Sequence, residues 1–315
     1  MKHLVPNSIS TARRALSFAL AFFAAAQLKA ADTGKTFTTP EAAVAALADA
    51  LNTTNRTELH AIFGPAADDF VNPDAVQAAN EFAAFATALG QTNRLARESD
   101  SRRLLELGND LWPFPVPIVL KDGHWFFDTA AGKDELLNRR IGRNELATLT
   151  VVRAYVQAQR EYASRLRDGT EVLKYAQKIV SSLGLKDGLY WSPDLDGEIS
   201  PLGPQAADAE EAGYRKLFKN SDAAPQPFQG YYFKILIRQG KHAPGGKYDY
   251  VINGNMIGGF ALLAWPAVYG QSGIMSFIVN QQGRVYQKDL GPKTAKTAAA
   301  IKAYDPDQTW SVSTD

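Results

Sequence analysis

The sharpest polar group in the sequence is a cluster of arginines with their neighbours: Arg139, Arg140, Arg143, Asn144 and Glu145. Guanidinium groups can hold a phosphate or a carboxylate through two parallel hydrogen bonds, so the cluster is a candidate site for an anionic group of an envelope glycan or lipid. Glu135, four residues before Arg139, indicates instead an ordinary ion pair on a helix surface. We favour the ion-pair interpretation and keep the anion site as the alternative.

A second polar group is the acidic turn formed by Asp194, Asp196 and Glu198 around Gly197. Its spacing is similar to the beginning of a calcium-binding loop, but the later ligand positions are missing, and acidic residues beside glycine commonly form turns. The histidines outside the N-terminal segment stand alone, without a second histidine at helical or hairpin spacing: His60, His124 and His242. We therefore predict a turn, no metal site and no cofactor.

Aromatic residues are the third candidate for a binding surface: Tyr190, Trp191, Tyr231, Tyr232, Trp265 and Tyr269. They could stack against sugar rings, but aromatic residues on strands more often belong to the core, and we favour the core. The candidate binding residues taken from all three groups are Arg139, Arg140, Arg143, Glu145, Trp191, Asp194, Asp196, Trp265 and Tyr269. The sequence singles out no catalytic residue.

The N-terminal segment is typical of a cleavable signal peptide over residues 1–30. Lys2, Arg13 and Arg14 precede an apolar run at residues 15–26, which has the length of a signal core and is too short for a membrane span. Cleavage behind Ala30 or Ala31 is consistent with the small residues there. The pair Arg13 and Arg14 makes twin-arginine export the second route, after general secretion. We therefore expect an exported protein, periplasmic or secreted.

Composition narrows the classes of partner. The chain has 34 basic and 33 acidic residues, and removal of residues 1–30 takes away four basic ones, which leaves a net charge of about −3. Such a balance argues against nucleic acid, whose binding depends on lysine and arginine contacts to phosphate. The absence of cysteine excludes disulfides and thiolate metal sites. No later apolar stretch is long enough for a membrane span after signal cleavage.

Residue patterns predict an α+β fold: N-terminal helices packed on a small antiparallel sheet, then a long helix that leads to a C-terminal antiparallel sheet. We predict lobes at residues 31–130 and 131–315, joined near residues 129–132. The alternating Pro113, Pro115 and Pro117 predict that the strand at 114–120 lies at a sheet edge. A threonine cap at Thr39 predicts a helix start, and Asp122 with Gly123 predicts a two-residue hairpin turn. The long helix is predicted from an apolar stripe that includes Leu149, Val152 and Val156, and it has a weak point at Gly142. A further helix is predicted at 171–183, before a turn-rich segment at 187–213.

Seven phrases in order resemble a bacterial exported family known as domain of unknown function family 2950. They are residues 112–117 (WPFPVP), 139–146 (RRIGRNEL), 187–191 (DGLYW), 200–203 (SPLG), 230–233 (GYYF), 243–246 (APGG) and 258–270 (GGFALLAWPAVYG). The resemblance covers nearly the whole chain after the signal. It implies export from a bacterial cytoplasm and supplies no established activity, ligand or catalytic residue.

A fainter similarity concerns the C-terminal half alone. A long helix with Ala158, Gln159, Glu161 and Tyr162, followed by a small antiparallel sheet, resembles the globular head of type IV pilin-like proteins. No prepilin cleavage signature precedes this helix, so the resemblance extends to architecture only.

Two functions follow as hypotheses. The first is a non-catalytic periplasmic or secreted binding or envelope-accessory protein, whose partner is an envelope glycan, lipid or protein. The alternative is an envelope hydrolase or glycan-modifying enzyme whose site lies along residues 187–213, with four carboxylates to test: Glu145, Asp194, Asp196 and Glu198. A pocket with convergent, pKa-perturbed groups would favour the enzyme, whereas an exposed aromatic or arginine-lined face would favour the binding protein. The oligomeric state cannot be read from the residues.

Overall fold

The computed structural model of the protein describes residues 33–167, 169–214, 217 and 225–314. The predicted signal peptide, residues 1–30, lies outside these described residues. No helix in the described part of the chain is both long enough and apolar enough to cross a membrane. Asp32–Asp315 forms one compact unit, and its division into lobes at residue 130 stays a prediction.

Three helices come first: α1 (Pro40–Asn52), α2 (Arg56–Phe63) and α3 (Ala75–Gln91), with a 3-10 helix at Pro65–Phe70 after α2. The start of α1 was predicted from its cap, and the Oγ1 of Thr39 indeed accepts a hydrogen bond from the amide of Ala42 at 3.1 Å. Asp74 caps α3 by accepting hydrogen bonds from the amides of Val76 and Gln77, both at 3.1 Å. These caps satisfy amides that a helix leaves unpaired at its start.

The first sheet follows, with strands β1 (Asn93–Ser99), β2 (Arg102–Leu107), β3 (Trp112–Pro113), β4 (Ile118–Lys121) and β5 (His124–Phe127). The strand order is β1-β2-β4-β5, all antiparallel, and β3 pairs with the end of β2. The predicted turn at Asp122 and Gly123 joins β4 to β5, and both residues have the positive φ that this tight turn requires. Helices and sheet enclose the first hydrophobic cluster, which includes Leu47, Ile62 and Leu105.

The prediction of an edge strand at residues 114–120 is wrong. β4 begins only at Ile118 and lies between β2 and β5. Pro115 and Pro117 precede β4, so their missing amide hydrogens remove no bond from its ladder. The strand at the edge beyond β2 is β1. Its segment was not predicted as a strand.

The long helix α4 (Thr129–Tyr162) is continuous through Gly142, where a weak point was predicted. The first turn of α4 contains Gly132, which packs closely against the segment before β4. A Cβ added to Gly132 would lie 2.7 Å from the Cα of Val116. Leu136 packs against the first hydrophobic cluster, whereas Leu149 belongs to a second cluster that extends to Tyr304. α4 therefore contributes to both cores.

The helix predicted at residues 171–183 is absent. The segment instead forms β6 (Lys178–Val180), which pairs in parallel with β7 (Gly188–Tyr190). The buried side chain of Gln159 on α4 holds the segment in an extended course, because it bonds both the amide and the carbonyl of Ala176 at 2.9 and 2.8 Å. A 3-10 helix (Pro193–Leu195) and α5 (Gly203–Glu211) complete the turn-rich region.

The C-terminal part contains β8 (Tyr231–Leu236), β9 (Arg238–Gln239), β10 (Tyr248–Asp249), β11 (Val251–Ile252), β12 (Asn255–Met256), β13 (Ala261–Pro266), β14 (Met275–Asn280), β15 (Tyr286–Asp289), α6 (Thr294–Ala300) and β16 (Ser311–Val312). The main sheet is antiparallel with the order β16-β15-β14-β13-β8. Successive strand residues face opposite sides: Tyr231 lies beside Glu145 of α4, and Lys234 donates to carbonyls at the end of α6. α4 and α6 thus cover opposite faces, and the predicted α+β fold class is confirmed.

Candidate functional site

The three predicted arginines lie on the N-terminal half of α4, and each binds a different partner. Arg139 forms the predicted ion pair with Glu135, at 2.6 Å, and its guanidinium lies 5.1 Å from the ring centre of Trp112. Arg143 forms an ion pair with Glu81 of α3. These contacts fit the ion-pair interpretation, because the guanidinium groups are already engaged within the chain.

Arg140 is the most buried of the three, with 7% of its surface exposed. Its guanidinium donates to the carbonyl oxygens of Phe70 and Val71, at 2.6 and 3.4 Å, and so fixes the end of the 3-10 helix against α4. Burial lowers the pKa of Arg140 from its ordinary value. The arginines therefore join elements of this chain and do not converge on a common anion site.

Beside them lies a buried network that we call the central polar cluster: Asn72, Asp74, Gln77, Asn144, Tyr214, Gly230 and Ser272. Asn144, fully buried on α4, accepts a hydrogen bond from the side chain of Gln77 at 2.8 Å and donates to the carbonyl of Ser272 at 2.9 Å. Gly230 is packed so closely that an added Cβ would lie 2.5 Å from the Nδ2 of Asn144. The cluster thereby fastens α3, α4 and the loops flanking the main sheet to one another.

Asp74 is the acidic member of this cluster and was missed at the level of sequence. Only 2% of its surface is exposed. One carboxylate oxygen accepts from the hydroxyl of Tyr214 at 2.8 Å and from the amide of Gly230 at 3.0 Å, while the other caps α3. Burial and this hydrogen bond raise the pKa of Tyr214. The only sequence signal near Asp74 is the helix start at Asn72, Pro73 and Asp74. That signal indicates a helix cap, and it does not indicate hydrogen bonds from the distant Tyr214 and Gly230.

Glu145 occupies a different place from the other predicted carboxylates. It accepts hydrogen bonds from the amides of Ile274 and Met275, both at 2.9 Å, and so holds the start of β14. No contact among the described residues joins Glu145 to Asp194, Asp196 or Glu198. Backbone amides thus donate two hydrogen bonds to the carboxyl group of Glu145.

A second network surrounds Trp191; we call it the Trp191 cluster, comprising Tyr162, Arg167, Lys186, Trp191, Asp196 and Glu198. The guanidinium of Arg167 lies 5.1 Å from the ring centre of Tyr162 and 4.9 Å from that of Trp191. It also donates to Glu198 at 2.9 Å, and the indole of Trp191 donates to the carbonyl of Glu198 at 3.0 Å. Trp191 is buried, as the core interpretation predicted.

Lys186 completes the Trp191 cluster by binding both Asp196 and Glu198. These hydrogen bonds lower the carboxyl pKa of Asp196 and of Glu198 and raise the pKa of Lys186. Asp194 takes no part in the cluster; it accepts from the hydroxyl of Ser192 at 3.0 Å on the surface. The sequence prediction thus named Trp191, Asp196 and Glu198 and missed the two cations, which lie 10 to 31 residues from the carboxylates that they bind.

The predicted aromatic platform does not form a single surface. Tyr231 is fully buried, as Trp191 nearly is. Trp265 pairs with Tyr232 across neighbouring strands, with ring centres 5.7 Å apart, and both are half-buried. Tyr269 donates its hydroxyl to Asp289 at 3.1 Å. These aromatic residues mainly stabilise the sheet and its loops.

Exposed apolar side chains concentrate where the sequence predicted a helix and a turn-rich loop. We call this the 166–199 surface: Leu166, Val172, Leu173, Leu183, Leu185, Leu195 and Ile199. Four of them are neighbours in sequence of Trp191-cluster residues, since Leu166 precedes Arg167, Leu185 precedes Lys186, and Leu195 and Ile199 flank Asp196 and Glu198. Leu183 is entirely exposed in the loop between β6 and β7. The ion network thereby anchors the backbone that displays these side chains.

Metal ligands do not gather anywhere in the described ranges, where no three His, Asp or Glu side chains lie close enough to hold an ion. A groove of about 440 Å³ lies between α1 and β1, lined by Glu41, Val44, Ala48 and Leu95 among others. None of the predicted site residues lines it.

Comparison with known proteins gives one match. The family model described as "Protein of unknown function (DUF2950)" matches residues 34–313. No curated protein and no solved structure matches the chain. The similarity to pilin-like heads therefore stays a prediction, whereas the family resemblance noted in the residues is confirmed. Because the match spans nearly the whole chain, the protein belongs to the DUF2950 family of proteins of unknown function.

Proposed function

We propose that this protein is exported from a bacterial cytoplasm and acts outside it as a non-catalytic binding or envelope-accessory protein. The observation that carries the proposal is the 166–199 surface, where exposed apolar side chains stand on a backbone that the Trp191 cluster holds in place. Seven exposed apolar side chains within one segment are more than the single, scattered ones that a protein surface normally carries, and this concentration favours an interaction site. Its partner is an envelope component: a glycan, a lipid or a protein.

The state of the carboxylates supports binding over hydrolysis. A glycoside hydrolase needs a carboxylic acid whose pKa is raised, so that it can protonate the leaving group. Lys186 instead holds the carboxyl pKa of Asp196 and Glu198 low. Glu145 receives two backbone amides at the start of β14, which suits a structural role.

Export is supported by the charged and apolar pattern of residues 1–30, and the family match begins beyond that segment, at residue 34. Fractionation of a bacterium expressing the full chain, followed by N-terminal sequencing, tests this part. We expect a chain that begins at Ala31 or Asp32 outside the cytoplasm. An uncleaved chain found only in the cytosol would overturn the proposal.

A pull-down with purified envelope fractions tests the binding part. The exported wild-type protein should bind a component of one envelope fraction. The double variant Leu183→Glu with Leu185→Glu should bind much less of that component, because charged side chains in the loop disrupt an apolar contact. Leu146→Glu, at an exposed leucine on α4, is the matched control and should bind like the wild type. Equal retention by all three proteins would contradict the assignment of the 166–199 surface.

A further inference from the structure

The outer edge of β1 has no strand partner in the part of the chain that the structure describes. β1 ends the strand order of the first sheet and pairs only with β2, from Asn93 opposite Leu107 to Ser99 opposite Arg102. No backbone hydrogen bond among the described residues reaches its other edge. An exposed strand edge offers a row of amides and carbonyls to another chain unless charges or bulges obstruct it.

The charged residues of β1 are Arg94, Arg97 and Glu98, so the edge carries both signs of charge. Arg94 forms an ion pair with its cross-strand neighbour Glu106, and Glu98 forms one with Arg102 at 2.6 Å. On the outward face of β1 and β2, a positive and a negative residue therefore follow each other both along and across the strands. Charges of one sign would repel a second copy of the same edge, whereas charges of both signs can pair across it.

We propose that β1 pairs antiparallel with β1 of a second copy of this chain, about a two-fold axis at Ala96. In that register Arg94 lies opposite Glu98 of the second copy, and the reciprocal pair forms by symmetry. Four charged residues then lie side by side across the two sheets, with alternating signs. They are Glu106 and Arg94 of one copy, followed by Glu98 and Arg102 of the other. The small side chain of Ala96 at the axis lets the strands approach.

Neighbouring registers are less favourable. A two-fold axis at Arg97 would place that arginine opposite its own copy, and like charges directly opposite each other destabilise a sheet. An axis at Leu95 would place Arg94 opposite Ala96, so that the charge pairs between copies are lost. Regular pairing of β1 with β2 ends at the register shift between Arg97 and Ser99. The backbone ladder between copies is therefore confined to residues 95–97, and the contacts between Arg94 and Glu98 are made by side chains at its two ends.

The groove between α1 and β1 fits the same arrangement. Arg97 of the second copy would lie opposite Leu95, whose side chain lines the groove with Val44 and Ala48. Its aliphatic stem can cover this apolar floor while its guanidinium reaches Glu41 on the groove wall. Glu41 has no ion pair among the described residues, and Arg97 within one copy is paired only with the exposed Asp100.

Charge reversal at the two ends of β1 tests the proposal on the full chain. Wild type should dimerise in sedimentation velocity over a concentration series. Arg94→Glu alone or Glu98→Arg alone should weaken dimerisation by about tenfold or more, since two opposed pairs become repulsive at once. A mixture of the two variants should form the mixed dimer, because positions 94 and 98 then again bring opposite charges together across the junction.

Circular dichroism verifies that each variant is folded. The control is Glu161→Arg, a charge reversal on the exposed side of α4, and it should dimerise like the wild type. Three results would overturn the pairing: a wild type that stays monomeric at every concentration, a dimer that neither variant weakens, or variants that fail to associate on mixing. Envelope binding is measured separately, so loss of this proposal leaves the proposed function standing.

Discussion

Asp74 is a buried carboxyl group that accepts four hydrogen bonds, and no cation of the described ranges forms an ion pair with it. Its donors are the amides of Val76, Gln77 and Gly230 and the hydroxyl of Tyr214. A buried charge is tolerated when donors surround it in this way, and the loss of one partner leaves the others unsatisfied. The residue thus links the start of α3 to the loop before β8.

Replacing Asp74 should destabilise the fold strongly. Asp74→Ala removes both a helix cap and the acceptor of two long-range donors, so the free energy of unfolding should fall by about 3 kcal/mol. Tyr214→Phe removes one donor and should cost about 1 kcal/mol. Urea unfolding measures both, and Asp110→Ala on an exposed turn should change little. If Asp74→Ala were as stable as that control, the role of the central polar cluster would be refuted.

The ion pairs of the Trp191 cluster predict a pH dependence. Because the folded-state pKa of Glu198 and Asp196 is lowered, their stabilising contribution is present above the ordinary carboxyl values of 4.5 and 3.8 and is lost as the pH falls through the lowered values. Lys186 has a raised pKa, so its contribution changes only at alkaline pH. Acidification should therefore loosen the loop.

Thermal melting of wild type and Glu198→Gln tests this expectation. At pH 7 the wild type should melt at the higher temperature, and the difference should shrink as the pH is lowered from about 5 towards about 3. Glu161→Gln, on the exposed face of α4, serves as the control for a general charge effect. A difference that stays constant over this whole acidic range would contradict the assigned ion pairs.

At the scale of elements, local signals predicted what local contacts decide. The cap at Thr39, the turn at Asp122 and Gly123 and the stripe on α4 all lie within a few residues of what they specify. β1 was missed because an edge strand exposes most of its side chains and shows no alternation. The false helix at 171–183 failed because Gln159, far away in sequence, fixes that segment.

The candidate sites follow the same rule. The Glu135–Arg139 pair could be predicted because it spans four residues of one helix. Tyr214 and Gly230 lie 140 and 156 residues from Asp74 in sequence. Arg167 lies 31 residues from Glu198. Packing of the folded chain brings them together, and residue patterns within a short window do not reveal such contacts.

Two glycines of α4 should respond in opposite ways to the same substitution. At Gly132 an added Cβ would lie 2.7 Å from the backbone of Val116, so Gly132→Ala should lower the free energy of unfolding by about 1–3 kcal/mol. At Gly142 nothing lies within 4 Å, so Gly142→Ala should raise it by about 0.5–1 kcal/mol, through helix propensity. Denaturant titration of both variants measures the change in the free energy of unfolding. Equal changes in Gly132→Ala and Gly142→Ala would contradict the close packing of α4 on the first sheet.

At the scale of the whole molecule, α4 and the central polar cluster connect two hydrophobic cores in one unit. Leu183 and Leu185 in the β6–β7 loop stay outside both cores, although Leu189 and Trp191 beside the loop belong to the second cluster. The apolar side chains of the 166–199 surface are held by the Trp191 cluster without being buried. This arrangement supports the binding function that we propose.

Hydrogen–deuterium exchange with and without the envelope fraction that the protein retains tests this claim most directly. We predict that binding slows amide exchange in residues 181–187, at the loop that displays Leu183 and Leu185, while the turn at residues 108–111 exchanges as before. Protection confined to other parts of the chain, with residues 181–187 unchanged, would contradict the account.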